Sequence, residues 1–208
     1  MFLALVLTFS AGLPLPAEAS AAGAPTLEAG PQAVRHRSPA DTARGRASTA
    51  GIVERLVPPT GVCPGESKLA GPNRAVATMI CMTNYARSRS GLKQYRTNLD
   101  LNRSASRKAA DILRCNAFSH SACGRPFTWW IGRKYSRRKC VWASENIAWA
   151  PRSVGRVRRV FKVWVKSPPH LSAILSKRYN EIGVGFRVGG LNGRRRAKVW
   201  VQHFARLC

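Results

Sequence analysis

Three residues set 25 positions apart, His120, Glu145 and His170, form a group that could carry chemistry. Two imidazoles and a carboxylate suit zinc or another borderline divalent ion, with coordination positions left open for water or a substrate. The same groups could instead move protons. No local signature such as HExxH joins them, so any assembly depends on the fold. Each also has a plain structural reading, since a Glu in an apolar run is often a satisfied carboxylate and a lone His is usually just packed. Glu145 sits in the aromatic-bracketed run WASENIAW, and from residue 112 onward 21 Lys and Arg stand against two acids, Glu145 and Glu181. Trp142 and Trp149 are expected to shield it. His36 lies in a low-complexity stretch, and His203 reads as a strand residue rather than a ligand. Ser119 and Ser121 adjoin His120, but no GxSxG elbow supports a serine nucleophile.

The elements that must position these groups follow from periodicity. Residues 73–90 place Val76, Met79, Ile80 and Thr83 at helical spacing, with Pro72 and Asn73 as a start and Gly91 as a stop. A second helix is expected over 100–116, with Leu101, Ala105, Ala109 and Ile112 buried, and its end delivers His120. A third, over 153–166, sets Val154, Val157, Val160, Phe161 and Trp164 against a basic face of Arg152, Arg156, Arg158, Arg159 and Lys162. His170 follows two prolines that fix the backbone at the entrance of a short fourth helix. Residues 181–188 and 197–204 alternate as strands, joined through Gly189–Gly193 and a basic run. Trp129 and Trp130, after Cys123, are expected in the core more than on a ligand platform. Helices first and a hairpin last indicate an α+β layered domain.

Composition bounds the partners and the compartment. A signal peptide over 1–19, ending at Ala17-Glu18-Ala19, an Ala/Gly/Ser/Pro/Arg-rich disordered linker over 20–60 and a single folded domain over 61–208 are expected. Cys63, Cys81, Cys115, Cys123, Cys140 and Cys208 form an even set with no CxxC pair, which points to disulfides in an oxidising compartment. They allow 15 pairings; proximity suggests Cys115 with Cys123, leaving Cys63 with Cys81 and Cys140 with Cys208. The formal charge of +26 makes anionic envelope polymers, acidic lipids and nucleic acid candidate partners, and 26 Arg against 9 Lys is equally what a basic compositional bias produces. No specific nucleic-acid motif occurs, and the apolar run at the start is too short to span a bilayer. A secreted or envelope-associated monomer is the expectation.

FSH at 118–120, SENIAWA at 144–150, WVKSPPHLSAIL at 164–175, EIGVG at 181–185 and VWVQHF at 199–204, in this order, resemble the bacterial branch of the CAP (SCP) superfamily, which includes cysteine-rich secretory and plant pathogenesis-related proteins. The resemblance spans about residues 63–208. It implies a disulfide-stabilised α-β-α sandwich in which His120, Glu145 and His170 face a central cleft that holds zinc in some members. Lys166 and Ser167 stand where many animal and plant members carry a second cleft glutamate, so a carboxylate pair is not available. Ser144 and Pro169 replace glycines of the family motifs. Binding of a metal ion or small ligand is the favoured expectation over turnover, with a metal-assisted hydrolase or a polyanion-binding module as alternatives.

Overall fold

A computed structural model describes residues 50–65, 71–137, 139–151 and 156–208. The signal peptide and most of the linker expected from the sequence lie outside the described residues. Residues 50–56 are helical (α1), and Leu56 and Val57 are buried in the main core. The folded part therefore begins ahead of Gly61: Leu56 and Val57, with Ile52 and Val53 packed against the same core, dock this short helix.

Helix α2 spans Pro72–Ser88 and α3 spans Leu99–Arg114. Pro72 suits a first turn, where its missing N–H costs nothing. Asn98 caps α3, its side-chain oxygen accepting from the backbone N–H groups of Asp100 and Leu101. The expected stripe of Leu101, Ala105, Ala109 and Ile112 is buried. Beside it runs a second buried stripe that apolar periodicity does not reveal, Ser104, Lys108 and Asp111, also at helical spacing. A short turn at Thr128–Ile131 (α4) continues as a π-helical turn over Gly132–Ser136. Helices α5 (Val157–Lys166) and α6 (Pro168–Ile174) follow. Ser167 breaks between them in an extended conformation, as a residue before proline must.

Four strands form one sheet in the order β1-β3-β4-β2: β1 is Arg96–Thr97, β2 Val141–Ala150, β3 Glu181–Leu191 and β4 Arg194–Leu207. The turn between β3 and β4 is tighter than expected. Asn192 and Gly193, both at positive φ, make it alone, and the basic run Arg194–Arg196 belongs to β4. WASENIAW is a strand too, paired antiparallel with β4 along its length. Its mixed composition conceals the alternation, because its central residues Glu145, Asn146 and Ile147 are buried on both faces.

Parity along the strands assigns the faces. Ile182, Val184, Phe186, Trp200 and Phe204 pack with α2, α5 and α6. Ile147, Val199 and Val201 pack with Ala105, Ala109 and Ile112 of α3. The result is the α-β-α sandwich that the motifs imply. At Gly183 and Gly185 the α3 backbone lies directly on the sheet: a Cβ would come within 2.1 Å of the Leu101 carbonyl carbon and 2.3 Å of that of Ala105. Three disulfides, Cys63–Cys81, Cys115–Cys123 and Cys140–Cys208, match the pairing suggested by proximity.

Candidate functional site

Glu145 occupies the middle of β2, directly across from His203 in β4. Odd positions of both strands face α3, so the carboxylate and the imidazole project into the layer between sheet and helix. There His203 Nε2 lies 2.9 Å from Glu145 Oε2, and Ser104 Oγ of α3 lies 2.9 Å from His203 Nδ1. On the other carboxylate oxygen, His120 Nδ1 approaches to 2.7 Å. The side chain of His120 is 56% exposed, whereas that of Glu145 is 1% exposed and that of His203 is 0% exposed. A buried carboxylate thus holds an outward-facing imidazole, and a fully buried second imidazole holds the carboxylate.

The loop carrying His120 is tied from below. Lys108 Nζ donates to the His120 backbone carbonyl at 2.6 Å, and the Cys115–Cys123 bridge closes the loop around it. Burial lowers the Lys108 pKa, against the Glu145 and Asp111 charges that raise it. For Glu145, burial works to raise the pKa, but the hydrogen bonds from His120 and His203 and the charges of His203 and Lys108 outweigh it. The carboxylate is held ionised below its usual range. An ionised Glu145 accepts on both oxygens, so His120 presents Nδ1–H inward and leaves Nε2 for the solvent side.

His170 lies in the first turn of α6. Its Nδ1 pairs with Ser167 Oγ at 2.7 Å, and its ring stands 6.4 Å from that of Trp164. Burial, with the nearby His120 charge, lowers its pKa and keeps the ring neutral near pH 7. The structure thus joins His120 to Glu145. The second imidazole on Glu145 is His203 rather than His170. Among the described residues no group of three or more His, Cys, Asp or Glu is arranged to hold a metal ion. Both Glu145 oxygens are already engaged, by His120 and by buried His203, so the carboxylate fits an outer place behind His120 rather than a place in a three-donor set.

Other expectations resolve differently. Asn146 donates to the His170 carbonyl (3.1 Å) and to Gln202 Oε1 (3.1 Å), linking β2 to α6 and β4. Trp142 is 54% exposed and, by strand parity, turned away from Glu145, so it gives no shield. Trp129 and Trp130 are outside the core as well. His203 was legible only through register: an alternating strand places it on the same face as Glu145 once the two strands are known to pair. A groove of about 1080 Å³ lies between α2, α3 and β3, and none of the site's His or Glu residues lines it.

Three comparisons place this geometry. The profile of the cysteine-rich secretory protein family, CAP, matches residues 81–204. The YkwD protein of Bacillus subtilis is 30% identical over 128 residues, which is 61% of this chain and 45% of that protein. An extracellular SCP-domain protein of Bacillus anthracis superposes with a TM-score of 0.54 at 23% identity, over 65% of this chain and 41% of that one. An outer surface protein of Borrelia burgdorferi does so with 0.53 at 18% identity, over 62% and 90%. The chain spans less than half the length of the Bacillus relatives it matches.

Proposed function

Since this chain belongs to the cysteine-rich secretory protein (CAP) family, we propose that it works outside the cell or at the envelope by binding a metal ion or small ligand at His120 and His170, with Glu145 as the carboxylate behind His120. The observation that carries this reading is the gradient of exposure along one hydrogen-bonded line, from buried Ser104 and His203 through Glu145 to the outward imidazole of His120. A charge buried at such cost, with both oxygens spent on imidazoles, serves to fix the tautomer and direction of the exposed ring. Both candidate donors are oriented through Nδ1, by Glu145 and by Ser167, which leaves Nε2 of each for a ligand. Zinc is the metal that two imidazoles with open positions suit best, water or substrate completing the coordination.

A second reading rests on the same line. With Nδ1–H held by Glu145, Nε2 of His120 is placed to take a proton from water, which would make the site hydrolytic. Calorimetric zinc titration of the oxidised full chain tests the first reading, beside the His120→Ala/His170→Ala double variant. Micromolar or tighter binding that the variant loses supports it; no binding, or equal binding by both, refutes the metal and leaves an organic ligand to be screened.

A further inference from the structure

We propose that the Trp129–Trp130 surface is a binding site for an acidic polysaccharide, separate from the His120 cleft. The segment 125–139 carries six Lys and Arg and no acid. Trp129 is 38% exposed and Trp130 half-buried, and guanidinium groups gather at both rings. Arg133 lies over Trp129 at 4.4 Å from the ring centroid, and Arg125 stands 5.7 Å from Trp129 and 5.4 Å from Trp130. Arg107 of α3 joins at 5.9 Å from Trp130. Beneath them Asp111 anchors the whole surface, accepting from Trp130 Nε1 at 2.7 Å and from Arg125 Nη1 at 3.0 and 3.1 Å.

Acid counting shows what is left over. Among the described residues Asp111 pairs with Arg114 and Arg125, Asp100 with Arg103, Glu181 with Arg96 and Glu145 with histidines. Arg107, Arg133, Lys134 and Arg137 have no carboxylate partner among them. Three of these four line or border a shallow open cavity of about 650 Å³ with Pro126, Trp129 and Trp130. Arg137, at φ 48°, closes the π-helical turn in a conformation that non-glycine residues rarely adopt. The helix thus ends in a turn that keeps Arg133, Lys134 and Arg137 on one short arc.

This combination selects a polymer of charged sugars. Guanidinium and ammonium groups along an open groove meet carboxylate or phosphate substituents, and the Pro126 and Trp129 edges beside them meet the C–H faces of sugar rings. A flexible single strand of nucleic acid would use bare aromatic faces for its bases. Here Arg133 already covers Trp129, so the ring acts as a support for the cation. The external location proposed for the chain agrees with such a partner.

The test uses the oxidised full chain and affinity electrophoresis in gels containing polygalacturonate, with uncharged dextran and oligo-dT as comparators. Arg133→Ala/Arg137→Ala should weaken polygalacturonate binding about tenfold, and Trp129→Ala nearly as much, while Trp129→Phe recovers part of it. Removing two exposed cations elsewhere, Arg194→Ala/Arg195→Ala, should cost only about twofold. Equal losses in the two double variants would reduce the effect to net charge and overturn the proposal. Tighter binding of oligo-dT than of polygalacturonate, lost in Arg133→Ala/Arg137→Ala, would also overturn it, by making the surface a nucleic-acid site.

Discussion

Replacing His203 by Ala should destabilise the domain far more than its position in an unremarkable strand suggests. The ring is fully buried and gives Glu145 Oε2 one of its hydrogen bonds. Its loss leaves a buried carboxylate oxygen unpaired, worth about 3 kcal/mol, and a buried Ser104 hydroxyl unpaired, worth about 1 kcal/mol more. The expected cost is therefore about 4 kcal/mol. With a guanidinium m-value of about 4 kcal/mol/M for a domain of this size, the unfolding midpoint should fall by about 1 M. His203→Phe keeps most of the volume but supplies no donor, so it should retain most of the penalty. Glu145→Ala in the His203→Ala background should restore part of it, giving a coupling of about 2 kcal/mol in a double-mutant cycle. Additivity within about 0.5 kcal/mol, or a His203→Phe variant as stable as the parent, would refute the reasoning.

Gly185→Ala, which forces a methyl group into the Ala105 backbone, should cost about 3 kcal/mol, read as a lowered thermal midpoint; an unchanged midpoint would show that α3 can lift away. Asp111 has its carboxyl pulled below the ordinary range by Trp130, Arg125 and Arg114, against burial that raises it. Its folded pKa lies below its unfolded one, so its contribution is present above the ordinary Asp range and is lost as pH falls through the depressed value. Urea midpoints measured down the acid limb should therefore decline, and Asp111→Asn should flatten that decline. Replacing Cys140 and Cys208 by Ser opens a closure of 68 residues and should cost about 4 kcal/mol in the chain-entropy account, read by urea denaturation against the parent.

The helices were legible because their stripes are simple: Leu101, Ala105, Ala109 and Ile112 repeat at a turn's spacing, and Pro72, Gly91 and Pro168 punctuate the rest. The His120–Glu145 contact was also legible, through the family motifs around each. What escaped were residues whose meaning arises between elements. β2 hides because a strand buried on both faces at its centre does not alternate there, and His203 matters only by sitting opposite Glu145. Ser104, Lys108 and Asp111 look like an ordinary polar face of α3, yet they are buried, each tied to a different loop or strand. Hydropathy sees polarity; it does not see a partner. Trp129 erred the other way, its size arguing for the core while it lies 38% exposed beside Arg125 and Arg133.

The central strand β4 pairs with both β2 and β3 and follows every other described element in the chain. Until it has been made, β2 and β3 have no common neighbour, α3 has no complete floor, and Glu145 lacks both His203 and the bridge from Cys140 to Cys208. The sheet therefore cannot close before β4 is in place, and its contacts join segments far apart in the chain, which makes its formation a late, cooperative step of folding.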